Sequence, residues 1–247
     1  MQNRYEGDVG DFGKYGLLRA ICEDSNLKLG VNWYLVPDEG HNNDGKFTNY
    51  LSPDKVREFR PCDTELYDEL RTMIYENTRS IKEVQDRHIL PLSTIFYDKP
   101  LSFSSDNKLI HKRNIWHDEA LESLLGCDIV FLDPDNGLEV KSYTKASSAS
   151  KKYVFYDEIP AYYERGQSLI IYNHRDRKPE DEYIKRFMKI KEYVYDVGDM
   201  FYLRFNRFSV RDYVFVLQPE HLEVVRESVE ALVNGPWVRN FSIHNMV

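Results

Sequence analysis

The sequence contains few cysteines and no long apolar stretch. Its three cysteines, Cys22, Cys62 and Cys127, are odd in number and widely spaced, which excludes a disulfide framework and a cysteine-rich metal site and predicts reduced thiols. No run approaches the roughly 18 apolar residues of a membrane span, and the first residues lack the apolar region of a signal peptide. We therefore expect a cytoplasmic protein that makes no use of a membrane.

Motifs for covalent catalysis are also missing. There is no Gly-x-Ser-x-Gly elbow and no cysteine beside a histidine, so a nucleophile of either kind has no support. Lys and Arg number 33 against 41 Asp and Glu, and this net charge of -8 argues against a protein that coats nucleic acid nonspecifically. Residues 165–211 carry 11 basic and 7 acidic side chains. This region is either a surface that faces nucleic acid or the solvated side of a helix.

The elements that are present alternate between strands and helices. With 247 residues, 42% of them hydrophobic, the chain has enough material for one domain over 1–247. Apolar runs predict strands, and spacings of three or four predict helices. We expect strands at 31–36, 94–97, 128–132, 168–172, 200–205 and 212–217, and helices at 14–23, 64–86, 118–125, 157–164, 180–193 and 220–233. This order indicates an α/β fold, Rossmann-like, with a mostly parallel sheet, helices on both faces and an antiparallel C-terminal hairpin.

Polar side chains follow three of the predicted strands. In open α/β sheets, ligands bind outside the carboxyl ends of the strands. The Ser-, Lys- and Ala-rich segment 142–152 predicts a mobile loop beside such a site. The residues that we expect to meet in one crevice are Asp38, Glu39, His41, Asn42, Asn43 and Asp44 after the first strand, Asp133, Asp135 and Asn136 after another, and Asn173, His174, Arg175 and Arg177 after a third.

The strand end at residues 133–137 carries the most specific signal. Pro134 forbids further ladder pairing and presents the Asp133 carboxylate and its own carbonyl at a fixed angle, which suits an amino group or a metal. The same residue types also build ordinary turns, with Asp133 as a cap. Near the amino terminus, residues 7–16 hold four glycines ahead of a helix. Lys14 there is a candidate ligand contact, with Asp11 as the helix cap, although a plain capping loop explains the glycines equally well.

These two segments carry a family resemblance. Residues 7–14, Gly-Asp-Val-Gly-Asp-Phe-Gly-Lys, resemble the Gly-Asn-x-x-Asp-x-x-Lys opening of bacterial ribosomal RNA adenine N6-methyltransferases of the single-domain type. Residues 133–136 resemble their catalytic Asp-Pro-Pro-Tyr loop. Asp135 and Asn136 replace the second proline and the aromatic ring. A looser similarity links the chain to three-Cys-motif partner proteins, which have Asp-Pro followed by Gly in this place.

The resemblance implies a single S-adenosylmethionine-dependent methyltransferase-like domain that acts on an amine of a nucleic acid or nucleobase. It implies three sets of site residues. They are catalytic Asp133, Pro134, Asp135 and Asn136; cofactor-binding Lys14, Asp38, Glu39, His41 and Asn43; and substrate-binding His174, Arg175 and Arg177.

The sequence is also compatible with two other functional hypotheses. Asp133, Asp135 and Glu139 are oxygen donors of the kind that Mg²⁺ or Mn²⁺ takes, and with His174 or Lys141 near a phosphate they would make a metal-dependent nuclease or phosphoesterase. The triplet 139–141, Glu-Val-Lys, resembles part of the restriction-type nuclease motif. Alternatively, the domain is catalytically silent and binds a protein partner.

Overall fold

The computed structural model describes residues 1–23, 25–39, 45–102 and 108–246. Within these residues the strands are β1 (Leu29–Asn32), β2 (Ile95–Tyr97), β3 (Ile129–Leu132), β4 (Gly137–Leu138), β5 (Tyr153–Val154), β6 (Ser168–His174), β7 (Asp199–Phe205), β8 (Arg211–Leu217) and β9 (Phe241–Asn245). The α-helices are α1 (Val9–Cys22), α2 (Val56–Phe59), α3 (Thr64–Tyr75), α4 (Ile81–Asp86), α5 (Leu109–Ser123), α6 (Pro160–Tyr163), α7 (Glu180–Met188) and α8 (Leu222–Asn234).

The main sheet has the strand order β2-β1-β3-β6-β8-β7-β9. Its first four strands are parallel, and β8, β7 and β9 then pair antiparallel, each to its neighbour. The predicted α/β class and the C-terminal hairpin are confirmed. The edge strand β9 was not predicted, because only Phe241 of its five residues is buried and the strand therefore lacks a clear apolar pattern.

Helices cover both faces of this sheet, as the sequence predicted. Val31, Phe131 and Ile170 pack on one face with α1, α3, α4 and α8. Val130 and Leu132, which alternate with Phe131 along β3, pack on the other face with α5, α6 and α7. Each central strand therefore contributes to two hydrophobic layers, which is why its sequence reads as a continuous apolar run.

The first helix begins earlier than predicted. It starts at Val9, and its cap is Asp8, whose Oδ1 accepts hydrogen bonds from the amides of Gly10 at 2.7 Å and Asp11 at 3.1 Å. Asp11 as the cap was wrong. Glycines lower helix propensity, but these allow close packing: a Cβ on Gly13 would lie 2.6 Å from the Phe205 ring.

Other boundaries differ for local reasons. The helix expected over 64–86 is two helices, α3 and α4, because Asn77 adopts φ +57° between them. The helix expected from residue 118 begins at Leu109. The first strand ends at Asn32, shortly before Tyr34 at φ +45°. The predicted loop 142–152 contains a 3-10 helix over Ser148–Lys152.

In the described part of the chain, none of the helices is both long enough and apolar enough to span a membrane.

Candidate functional site

A cavity of about 230 Å³ lies at the edge of the sheet where β3 and β6 end and β8 begins. The first turns of α1 close one side of it, and residues 133–136 close another. Because β8 runs antiparallel to β6, its first residue Arg211 lies opposite His174 at the same edge. The predicted convergence therefore occurs for residues 133–136 and His174, with α1 and β8 as additional walls.

The ammonium group of Lys14 lies between two carboxylates at the wall of the cavity. Its Nζ lies 2.8 Å from Oδ1 of Asp11 and 2.9 Å from Oδ2 of Asp133, and all three side chains are almost fully buried. Burial alone would lower the pKa of Lys14, but the negative charges of Asp11, Asp133 and Glu6 raise it well above its usual value. Lys14 is therefore a permanent cation that holds Asp133 in one orientation.

Asp11 is the carboxylate with unused bonding capacity. Its Oδ1 is occupied by Lys14, whereas Oδ2 is buried and has no hydrogen-bond partner among the described residues. Burial, together with the charges of Asp8 and Asp133 and against the opposing effect of Lys14, raises the pKa of Asp11 to about 7. An unpaired buried carboxylate oxygen is costly. Asp11 is one of the residues that line the cavity.

Glu6 and Tyr15 lie behind this pair. The Tyr15 hydroxyl donates a short hydrogen bond to Oε2 of Glu6, and neither side chain is exposed. Burial, with the charge of Asp11, raises the pKa of Glu6 well above its usual value. Glu6 is therefore easier to protonate than an ordinary carboxyl group.

Asp135 points toward the amino-terminal residues. One carboxylate oxygen lies 2.7 Å from the Met1 ammonium, and the other accepts a hydrogen bond from Nε2 of Gln2 at 2.8 Å. Burial would raise the pKa of Asp135, but the Met1 ammonium and its hydrogen bond lower it below the usual value. Lys152 lies 3.8 Å away and pairs with Glu39 at 2.7 Å.

The structure brings together six of the twelve predicted site residues. Lys14, His174 and residues 133–136 line the cavity. Glu39 does not line the cavity but pairs with Lys152, which does. Asp38 is not among the lining residues either, and it accepts a hydrogen bond from the Arg4 amide at 3.3 Å. His41, Asn42, Asn43 and Asp44 lie outside the described residues.

Two predicted substrate residues lie apart from the cavity walls. The Arg175 guanidinium pairs with Glu180 at 2.9 Å and stacks over the Tyr183 ring, and Arg177 is exposed on the same loop. Arg175 therefore anchors its own loop, and neither side chain lines the cavity.

Sequence reasoning missed Arg211 and Tyr172, which also line the cavity. Nη2 of Arg211 lies 3.4 Å from Oδ2 of Asp8, and a Cβ on Gly10 would lie 2.0 Å from the guanidinium carbon. Gly10 is thus required for the arginine to reach the start of α1. The order of strands that places Arg211 here leaves no local signal in the sequence.

The alternative metal set is not assembled. Within the described ranges, no three His, Cys, Asp or Glu side chains are grouped so as to hold a metal ion. Asp133 and Asp135 are paired with cations of the chain, while Glu139 lines a second, shallow cavity and accepts a hydrogen bond from the Tyr156 amide at 3.1 Å.

Much of the basic region 165–211 serves internal ion pairs. Arg186 pairs with Asp176 at 3.2 Å, Arg204 with Asp212 at 2.8 Å, and Arg207 with Glu58 at 2.9 Å. The excess positive charge is therefore smaller at the surface than the composition indicates.

Comparison with known proteins adds no assignment: no family model matches the sequence, and no curated protein is significantly similar to it.

Proposed function

We propose that this chain is an S-adenosylmethionine-dependent methyltransferase-like protein that acts on an amine of a nucleic acid or nucleobase. One observation carries the proposal. The two segments that resemble the methyltransferases are far apart in the sequence, yet Nζ of Lys14 contacts Oδ2 of Asp133 at 2.9 Å inside one cavity. The C-terminal hairpin beside the parallel strands agrees with the same resemblance.

The donor set of the cavity suits this cofactor. S-adenosylmethionine carries an ammonium, a carboxylate, a positive sulfur and an adenine ring. Asp11, with its unpaired Oδ2, would hold the ammonium, and Arg211 or Lys152 would hold the carboxylate. The ring of Tyr172 offers an apolar surface to the adenine.

Positioning accounts for the chemistry that we assign to the site. When bound, the cofactor supplies a methyl group on a positively charged sulfur. Asp133 accepts a hydrogen bond from the acceptor amine and takes its proton as the new bond forms. Lys14 keeps the Asp133 carboxylate in place, and the burial of both groups excludes water from their ion pair.

Since the cysteines are free and buried, we also propose a reducing, cytoplasmic location.

The test is calorimetric titration with S-adenosylhomocysteine, followed by a transfer assay with methyl-labelled cofactor and RNA. The wild-type protein should bind. Asp11→Asn should bind roughly tenfold more weakly, because a hydrogen bond to a charged group is lost. Asp133→Asn should retain binding and lose transfer. Glu139→Gln is the matched control, since Glu139 lies outside the cavity, and it should behave as wild type.

Three outcomes would redirect the assignment. Failure to bind at millimolar ligand removes the methyltransferase proposal. Binding without transfer in the wild-type protein favours the catalytically silent partner protein. Cleavage of nucleic acid that needs Mg²⁺ or Mn²⁺ and is lost in both Asp135→Ala and Glu139→Gln favours the nuclease.

A further inference from the structure

Two exposed phenylalanines lie at the mouth of the cavity. The rings of Phe47 and Phe208 are stacked, with centroids 5.9 Å apart and planes inclined by 29°. Phe47 is 43% exposed and lines the cavity, and Phe208 is 58% exposed at the tip of the β7–β8 hairpin. The pair, which we call the aromatic platform, thus presents ring surface to solvent beside Asp133.

Folding stability does not explain Phe208. A bulky residue at positive φ is unusual, and Phe208 adopts φ +53°. A ring that stays more than half exposed recovers little hydrophobic free energy for that strain. Strained residues of this kind tend to occur at functional positions.

Each phenylalanine belongs to a segment that is anchored to the rest of the protein. The Phe47 carbonyl accepts a hydrogen bond from the Val9 amide at 3.0 Å, at the start of α1. Next to Phe208, Arg207 is fixed by Glu58 at 2.9 Å and by Asn240 at 2.6 Å. Phe47 is therefore attached to the start of the helix that carries Asp11 and Lys14, and Phe208 follows an anchored arginine.

A basic loop adjoins the platform. The Arg175 amide donates to the Val210 carbonyl at 3.2 Å, which places residues 174–178 beside the hairpin tip. His174, Arg177 and Lys178 on this loop are exposed. Aromatic rings next to a few cations are the combination that binds unpaired nucleotides, since every base has a face that stacks.

We propose that the aromatic platform stacks an unpaired nucleobase of single-stranded RNA or DNA at the cavity mouth. The inference rests on the proposed function in one respect, that the base so held presents an amine to Asp133. The net charge of -8 agrees with recognition of one base rather than of a long phosphate backbone.

Fluorescence anisotropy with a labelled 12-nucleotide single strand, and with its duplex, tests the platform. The single strand should bind more tightly than the duplex. Phe208→Ala should weaken single-strand binding about tenfold or more, as expected for the loss of one base–ring stack. Phe208→Tyr should restore it, and Phe208→Leu, which is apolar but has no ring, should not. Tyr195→Ala is the control, because Tyr195 is 81% exposed away from the cavity.

Two results would contradict the proposal that the aromatic platform stacks a nucleobase. One is equal binding by wild type and Phe208→Ala, including no binding by either. The other is full binding by Phe208→Leu, which would point to an apolar protein partner instead. Titration of Phe208→Ala with S-adenosylhomocysteine separates this inference from the proposed function: Phe208 does not line the cavity, so cofactor binding should match wild type. If neither protein binds cofactor but the alanine variant loses single-strand binding, the platform stands and the methyltransferase proposal fails.

Discussion

Lys14 forms the two ion pairs that hold the carboxylates of Asp11 and Asp133 in place. Its two ion pairs, with Asp11 and Asp133, are buried, so removing the ammonium would leave two charges in a medium of low polarity. The ammonium itself uses only one oxygen of each partner. The cluster thus combines two internal ion pairs with an oxygen of Asp11 that has no hydrogen-bond partner among the described residues and that, in the proposed site, would accept a bond from the ligand ammonium.

The raised pKa of Asp11 gives a prediction for pH. In the proposed site, ionised Asp11 would bind the ligand ammonium and protonated Asp11 would not. Because the pKa of Asp11 is about 7, the affinity for S-adenosylhomocysteine should increase steadily as the pH is raised from 5.5 to 8.5. Titration calorimetry across this range measures it.

Variants identify the ionising group. Asp11→Asn should give weak binding that hardly changes with pH. Because histidines titrate in the same range, His174→Gln is the control and should keep the pH dependence. A flat profile for His174→Gln would assign the effect to His174 instead of Asp11.

At the scale of elements, a buried ion pair joins α5 to the segment that carries Lys152. Arg113 on α5 contacts Glu158 at 2.6 Å, and it donates to the carbonyls of Ser150 at 2.9 Å and Tyr153 at 2.7 Å. Both charged side chains are almost completely buried. Arg113 thereby fixes residues 148–158, including β5, on one side of the cavity.

Arg113→Met should therefore release this segment. We expect about 3–5 kcal/mol loss in the free energy of unfolding, because Glu158 would be left buried and unpaired. Hydrogen exchange should accelerate over residues 148–158 more than in β6 and β8. The comparison variant is Arg165→Met, which removes one hydrogen bond to the Leu121 carbonyl at an exposed site and should cost about 0.5 kcal/mol or less. Uniform acceleration across the sheet would contradict the local role.

The whole molecule has two hydrophobic layers that share one sheet. Trp33 and Trp237 lie in the layer with α1 and α8, and Trp116 lies in the layer with α5. Since neighbouring residues of β3 belong to opposite layers, neither layer can unfold without exposing the sheet to water.

We therefore predict one cooperative unfolding transition. Two variants test this in urea: one keeps Trp116 as its only tryptophan and reports on one layer, and Trp116→Phe keeps Trp33 and Trp237 and reports on the other. In each variant, the unfolding midpoint measured by fluorescence should equal the midpoint measured by circular dichroism. Two separated transitions would show that the layers are independent units.

The sequence by itself determined the class of fold. The apolar run before Asp133, the proline that ends it and the repeated alternation of strands and helices are local features, because they arise from burial and from backbone restrictions within a few residues. The same local chemistry predicted Lys14 and residues 133–136 as candidate site residues, and these residues line one cavity.

Only the tertiary structure decided how these residues pair. The contact between Lys14 and Asp133, the approach of Arg211 to Asp8 across Gly10, and the stacking of Phe47 on Phe208 join positions that are far apart in the chain. Such contacts depend on which strand lies next to which, and no local periodicity encodes that order. The starting point of α1 was predicted wrongly for a related reason. Its glycines disfavour a helix in isolation, and only tertiary packing against Arg211, Phe205 and Trp237 explains their presence.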